Sequence, residues 1–206
     1  MQRRTLDILF SIGGLALAGL LLVLGLVMTS NANFAKDYVK DQLTQQNIVF
    51  TQEKFLAPEE KKASCLREYA GKQLTTGKQA ESYANEYIGL HVTEIAGGKT
   101  YADLGTPQRE LQAEVEAAEK SGDPNLPALQ AKLDKITGQR DSLFKGETLR
   151  GLLLTSYGFS VFGVKGGEVA TVCYIVSALL FLLSIAGFVH AFRTPKDKAF
   201  APPAAT

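Results

Sequence analysis

Apolar positions crowd into two stretches of this chain and thin out between them. Ile8 to Met28 and Val169 to Phe192 each pass without an acidic or basic charge. At 1.5 Å rise per residue both runs can cross the ~30 Å hydrocarbon of a bilayer, so the pattern predicts transmembrane helices at 8–28 and 169–192. The basic start Gln2-Arg3-Arg4, with Ser30-Asn31-Ala32 downstream, would also suit a signal peptide. The first run is a full span rather than the ~7–15 apolar residues of a signal core, which favours a retained anchor. No proline interrupts Thr5 to Gln45, and Phe34, Tyr38, Val39 and Leu43 keep helical spacing. The first helix is therefore predicted to continue as a rod of ~60 Å, about half of it above the bilayer.

Between the spans the periodicity is helical, with punctuation. Residues 46–56, where Ile48 and Phe50 alternate with polar neighbours, read as extended or irregular chain. Pro58-Glu59-Glu60-Lys61-Lys62 sets proline and acids ahead of bases, which predicts a helix to about Tyr69 or Ala70, ended by Gly71. Thr76 with Gln79 fits a capping box, and Gly97-Gly98 supplies a stop. Thr106-Pro107 predicts another helix start, and Gly122 to Asn125 a turn. Beyond it Leu129, Leu133, Ile136, Arg140 and Leu143 alternate spacings of four and three. Two antiparallel helices packed within the loop domain are expected. Gly146 to Phe159, "GETLRGLLLTSYGF", then passes from a charged rim into a run too short to span, and Lys165-Gly166-Gly167-Glu168 follows. An interfacial amphipathic segment over 146–168 is predicted, with Glu147, Arg150 and Tyr157 at the membrane surface and Arg150 toward headgroups. The alternatives are a re-entrant segment or one helix running on into the second span.

Composition adds orientation and exclusions. A formal charge of +1 and no Lys/Arg run with interleaved aromatics leave no nucleic-acid footprint. Arg3 and Arg4 flank the first span and Arg193, Lys196 and Lys198 the second, against Lys36, Lys40, Arg150 and Lys165 on the loop side. The bias is modest and places both termini, 1–7 and 193–206, in the cytoplasm and 29–145 outside. The Ala/Pro tail, Ala201 to Thr206, is expected to be disordered. Cys65 and Cys173 make no disulfide framework and are expected to be unpaired.

Candidate chemistry is sparse. His91 falls in the outer domain and His190 at the cytoplasmic end of the second span, so a two-histidine iron site or a three-ligand catalytic zinc does not assemble within one chain. Cys65 with His91 is the one thiol–imidazole pairing on offer. No G-x-S-x-G, Walker or dinucleotide glycine pattern occurs, and no cofactor is implied. Tyr83, Tyr87 and His91 share one helical face, a candidate binding face for a lipid, quinone or peptide. In the spans, Ser11, Gly14, Ala18 and Gly25 form one small-residue stripe, and Ala170, Cys173, Ser177, Ser184 and Ala191 another. Such stripes pack spans on each other or on a larger membrane partner.

The stretches 69–91, "YAGKQLTTGKQAESYANEYIGLH", and 143–159, "LFKGETLRGLLLTSYGF", in their order between two spans, resemble a family of small actinobacterial two-span membrane proteins. With the spans they cover over half the chain, and the region between Pro107 and Leu143 is longer than is usual there. The resemblance implies a membrane-anchored outer domain and carries the label of aromatic ring-opening dioxygenase, whose iron ligands His91 and His190 do not supply. The expected protein is an all-α membrane protein, two transmembrane helices flanking a helical extracytoplasmic domain with a helical hairpin. Its expected role is that of a non-catalytic accessory or scaffolding subunit of a cell-envelope or respiratory complex, among membrane lipids. An extracytoplasmic binding module is the alternative.

Overall fold

The computed structural model describes residues 2–195; Lys196, Lys198 and the Ala/Pro tail lie outside the described residues. Within them the regular elements are helices: α1 (Arg3–Gln45), α2 (Ser64–Glu68), α3 (Gly77–Ser82), α4 (Gly89–Ile95), α5 (Gly105–Ser121) and α6 (Leu126–Arg193). Short 3-10 turns occupy Glu53–Phe55 and Glu60–Lys62, and a π turn joins α3 to α4 over Tyr83–Ile88. Helices α1 and α6 hold 43 and 68 residues, with mean hydropathy of 2.4 and 2.5 over their most apolar windows, and both are long and apolar enough to cross a membrane. The chain divides into two compact units, one made of the stretch to Asp37 with the stretch from Phe162, the other of Tyr38–Val161.

In the first unit the two small-residue stripes meet. Ser177 Oγ donates to the Ala18 carbonyl at 2.7 Å. Gly14 faces Ser184, Gly187 faces Ser11, and Gly25 lies under the Tyr174 ring. Thr29 Oγ1 donates to the Gly25 carbonyl, which leaves the Tyr174 hydroxyl as donor to Thr29 Oγ1, each at 2.9 Å. Ser11, Ala18, Ser177, Ser184 and Ala191 are buried as a result. Of the two readings the stripes allow, this is packing of the spans on each other, by close backbone approach within the chain.

The expected break before the second span is absent. Helix α6 passes through Lys165-Gly166-Gly167-Glu168 without interruption, so 146–168 is not a separate segment. Each helical glycine costs ~1 kcal/mol relative to alanine. That cost is offset by fit, since a Cβ on Gly163 would meet Ala35 Cβ at 3.0 Å and the Ala32 carbonyl at 3.2 Å. Lys165 and Glu168 also pair one turn apart at 2.8 Å. The first helix likewise continues beyond residue 28, as its spacing predicts.

The second unit builds its core from both long helices and the chain between them. Val39 and Leu43 of α1 join Leu66, Leu74, Ala84, Ile136, Leu143 and Leu153 in one buried cluster. Residues 48–50 pair with 71–74: Phe50 N donates to Lys72 O at 3.0 Å, Gly71 N to Phe50 O at 3.0 Å and Leu74 N to Ile48 O at 2.8 Å. The capping box at Thr76 forms as the spacing predicts, with Thr76 Oγ1 accepting from Gln79 N and Gln79 Oε1 accepting from Thr76 N. The helix expected over 58–70 is split into a 3-10 turn and α2 at Ala63, whose backbone is extended, and the Glu60 side chain turns back to accept from Ala57 N at 2.6 Å. Helix α5 begins at Gly105, one residue before the expected Thr106 cap, and ends on Gly122 at φ 65. Its side chains reach α6 through Gln108 to Thr137 at 2.8 Å, while Arg140 donates to Gln108 and lies 4.0 Å from the centre of the Tyr101 ring.

Candidate functional site

The second unit concentrates its aromatic rings in one stack. Phe50, on the chain paired with 71–74, contacts Tyr69 at 5.4 Å between centroids and Tyr83 edge-on at 5.2 Å. Tyr83 stacks on Tyr87 at 4.8 Å, and Tyr87 meets the His91 ring edge-on at 4.5 Å. Spacing of four residues carries this ladder from the π turn, which holds Tyr83 and Tyr87, into α4, and offset or edge-on pairs each add ~0.5–1.5 kcal/mol beyond burial. At its end His91 Nε2 lies 3.1 Å from Glu60 Oε1, whose side chain is 6% exposed. With Ala57 N–H on the other oxygen, both carboxylate oxygens have a donor, as a buried carboxylate requires.

This arrangement changes what the expected binding face can do. Tyr83 and Tyr87 are half-buried by their neighbours and His91 is engaged by Glu60, so the face is a packed ladder rather than an open platform. Burial first, then Tyr87 and Glu60 nearby, push the Tyr83 phenol up to about 12. An unfolded tyrosine titrates near ~10, so the stabilising contribution is fully present below that pH and is lost as pH rises through about 12. An ultraviolet titration of phenolate absorbance should show a late-ionising tyrosine that disappears in Tyr83→Phe. Complete ionisation of every tyrosine by pH ~11 would refute this placement.

Beside the ladder lies an open polar cleft of about 510 Å³, walled by Glu59, Lys62, Asn85, Glu86, Glu147 and Arg150 among others. Arg150 reaches Glu147 and Asn85, each at 3.3 Å, and its Nε is buried without a hydrogen-bond partner. The guanidinium expected to face headgroups is held in place by Glu147 and by Asn85, 65 residues earlier. Tyr157 lies under Lys78 at 5.9 Å, with its backbone beside Gly77. The stretches 69–91 and 143–159 thus pack on each other through these contacts.

A second, apolar groove of about 400 Å³ runs between the C-terminal end of α1 and α6. Val39, Leu43 and Ile48 line one side and Leu149, Leu152 and Phe159 the other, with Gln42, Gln46, Thr155 and Ser156 as its polar positions. Sequence periodicity marks 151–164 as apolar, its leucines facing either lipid or the first helix, and the structure sets Leu149, Leu152 and Leu153 beside α1. Glu60 was missed because Pro58-Glu59-Glu60 reads equally well as an ordinary helix start.

His190 Nδ1 meets Asp7 at 2.9 Å in the first unit, while His91 belongs to the second. Among the described residues no group of three His, Cys, Asp or Glu side chains is placed to hold a metal ion. Cys65 is free and partly exposed, and Cys173 is free and buried. Comparison of the chain with protein-family models, with curated proteins and with solved structures finds no match.

Proposed function

We propose that this chain is a two-span membrane protein, both termini cytoplasmic and the helical domain with its α5–α6 hairpin extracytoplasmic. In this reading it serves as a non-catalytic accessory or scaffolding subunit of a larger cell-envelope or respiratory complex. The observation that carries the reading is that α1 and α6 each hold an apolar span and also supply buried core residues to the second unit, Val39 and Leu43 from one and Ile136, Leu143 and Leu153 from the other. A domain whose core is borrowed from its anchors suits a fixed surface at the membrane better than a tethered, separable enzyme. Docking on a partner then falls to large apolar side chains left exposed on the spans, such as Phe10, Leu20, Leu183 and Phe192, and to the domain surface. Kinship with the small two-span proteins is supported by the mutual packing of the two resembling stretches, and no ring-opening step is assigned to it.

The test is purification of the tagged full chain in mild detergent followed by mass spectrometry. A stoichiometric membrane partner is expected, and recovery of the lone monomer overturns the accessory role. Orientation is read separately. A membrane-impermeant maleimide applied to intact cells should label the partly exposed Cys65, and protection of Cys65 until the cells are broken would reverse the topology.

A further inference from the structure

We propose that a pocket between α5, α6 and the chain after α4 binds a small organic anion, a carboxylate or phosphate carried on a short apolar body. The pocket lies wholly within the second unit, encloses about 320 Å³ and does not depend on the membrane reading above. Helical spacing builds its longest wall. Lys132, Lys135, Ile136 and Gln139 stand at i, i+3, i+4 and i+7 on one face of α6, while Asp134 falls on the opposite face. Gly97 and Gly98, at φ 61 and 84, turn the chain after α4, and Gly98 N donates to Thr93 O at 2.8 Å. Gln139 Nε2 donates to Ile95 O at 3.0 Å and ties that turn to α6, so Lys99 joins the same wall.

The floor is apolar and the rim is cationic. Leu104 and Ile136, 4% and 9% exposed, belong to the buried core cluster and form the floor with the partly buried Leu111. Lys99, Lys132 and Lys135 are exposed, and among the described residues none of them forms a salt bridge. No Asp or Glu lines the pocket among the described residues. Asp103 feels Lys99, yet its carboxyl is held below the ordinary range first by Thr100, whose N–H and Oγ1–H both donate to it at 2.8 Å. Arg140, next to Gln139, donates to Tyr101 O and Gln108 Oε1, which are neutral acceptors, so its charge is not cancelled either. Three ammonium groups around one concavity repel one another until an anion sits between them, and each offers it three donors. A bare anion leaves the leucine and isoleucine floor in water, and a neutral apolar molecule leaves the lysines unmatched. A ligand with both parts satisfies both surfaces.

Isothermal titration of the full chain in dodecyl maltoside compares phenyl phosphate, inorganic phosphate and the neutral phenyl glucoside. Phenyl phosphate is expected to saturate one site, inorganic phosphate to bind about tenfold more weakly for want of the apolar body, and the glucoside not to bind. Lys99→Gln, Lys132→Gln and Lys135→Gln should each weaken phenyl phosphate by about fivefold, the upper end for an exposed ion pair, and the triple variant should abolish binding. Lys120→Gln, in the last turn of α5 and outside the pocket, should change nothing. All four lysines are exposed, so the variants should melt with the parent. A repeat in phosphatidylcholine nanodiscs with and without phosphatidylglycerol separates two sources of the anion. Displacement by phosphatidylglycerol supports the site with a lipid headgroup as its anion, and undiminished binding supports it with a soluble one. No binding by the parent, equal binding by the triple variant, or equal binding of the glucoside overturns the proposal.

Discussion

Gly77→Ala is expected to destabilise the protein by about 3 kcal/mol, the upper end of the usual cost of overpacking. For a chain of this size that corresponds to a fall in melting temperature of roughly 6–12 °C. The first residue of α3 lies flush on α6, so a Cβ there would sit 1.9 Å from Ser160 Oγ, 2.4 Å from Ser160 Cβ and 3.3 Å from Tyr157 Cα. Turning the Ser160 hydroxyl, which donates to Tyr157 O at 2.7 Å, would relieve only the first contact. The Cβ is fixed to the α6 backbone and cannot move without the helix. The double variant Gly77→Ala with Ser160→Gly should regain most of the loss, less ~1 kcal/mol for glycine inside a helix. A single variant that melts with the parent would mean that α3 does not seat on α6 in this way.

Leu143→Ala should cost ~2–5 kcal/mol, the range for emptying a packed leucine site. Leu143 is 1% exposed within the cluster that includes Leu66 and Leu74. Leu152, nine residues on along α6, is 62% exposed at the groove rim. Leu152→Ala should change stability in detergent by no more than ~0.5 kcal/mol. Equal losses at the two positions in a denaturation series would contradict the placement of the core on the Leu143 face.

The two positions show why one helix was harder to read than it looked. The alternation of Leu129, Leu133, Ile136, Arg140 and Leu143 suggested a helix pair packed within the loop domain, and of these Leu143 serves the wider core while Arg140 lies over the Tyr101 ring. Spacing reports that a face is apolar and not which distant segment covers it. The capping box at Thr76 and the stop at Gly122 were readable because each is completed within about one helical turn. The split at 58–70 was not readable, since nothing local in Pro58 to Ala70 marks Ala63 as the extended residue between the 3-10 turn and α2. The candidate site was half visible. Tyr83, Tyr87 and His91 were marked by periodicity, whereas the buried Glu60, the Asn85 contact of Arg150 and the apolar groove arise only from juxtaposition.

The sequence by itself determined the all-helical class, the two apolar stretches long enough to cross a membrane, the continuation of the first of them into a 43-residue helix, and the small-residue stripes. These follow from local hydropathy and from backbone rules that operate over a few residues. The tertiary structure decided that the stripes face each other, that Arg150 meets Asn85, that the glycines at 163, 166 and 167 continue a helix rather than break it, and that α1 and α6 enclose a groove. Each of those outcomes depends on shape and polarity matched between residues far apart in the chain, where a glycine costs stability in an isolated helix but permits close approach in a packed one.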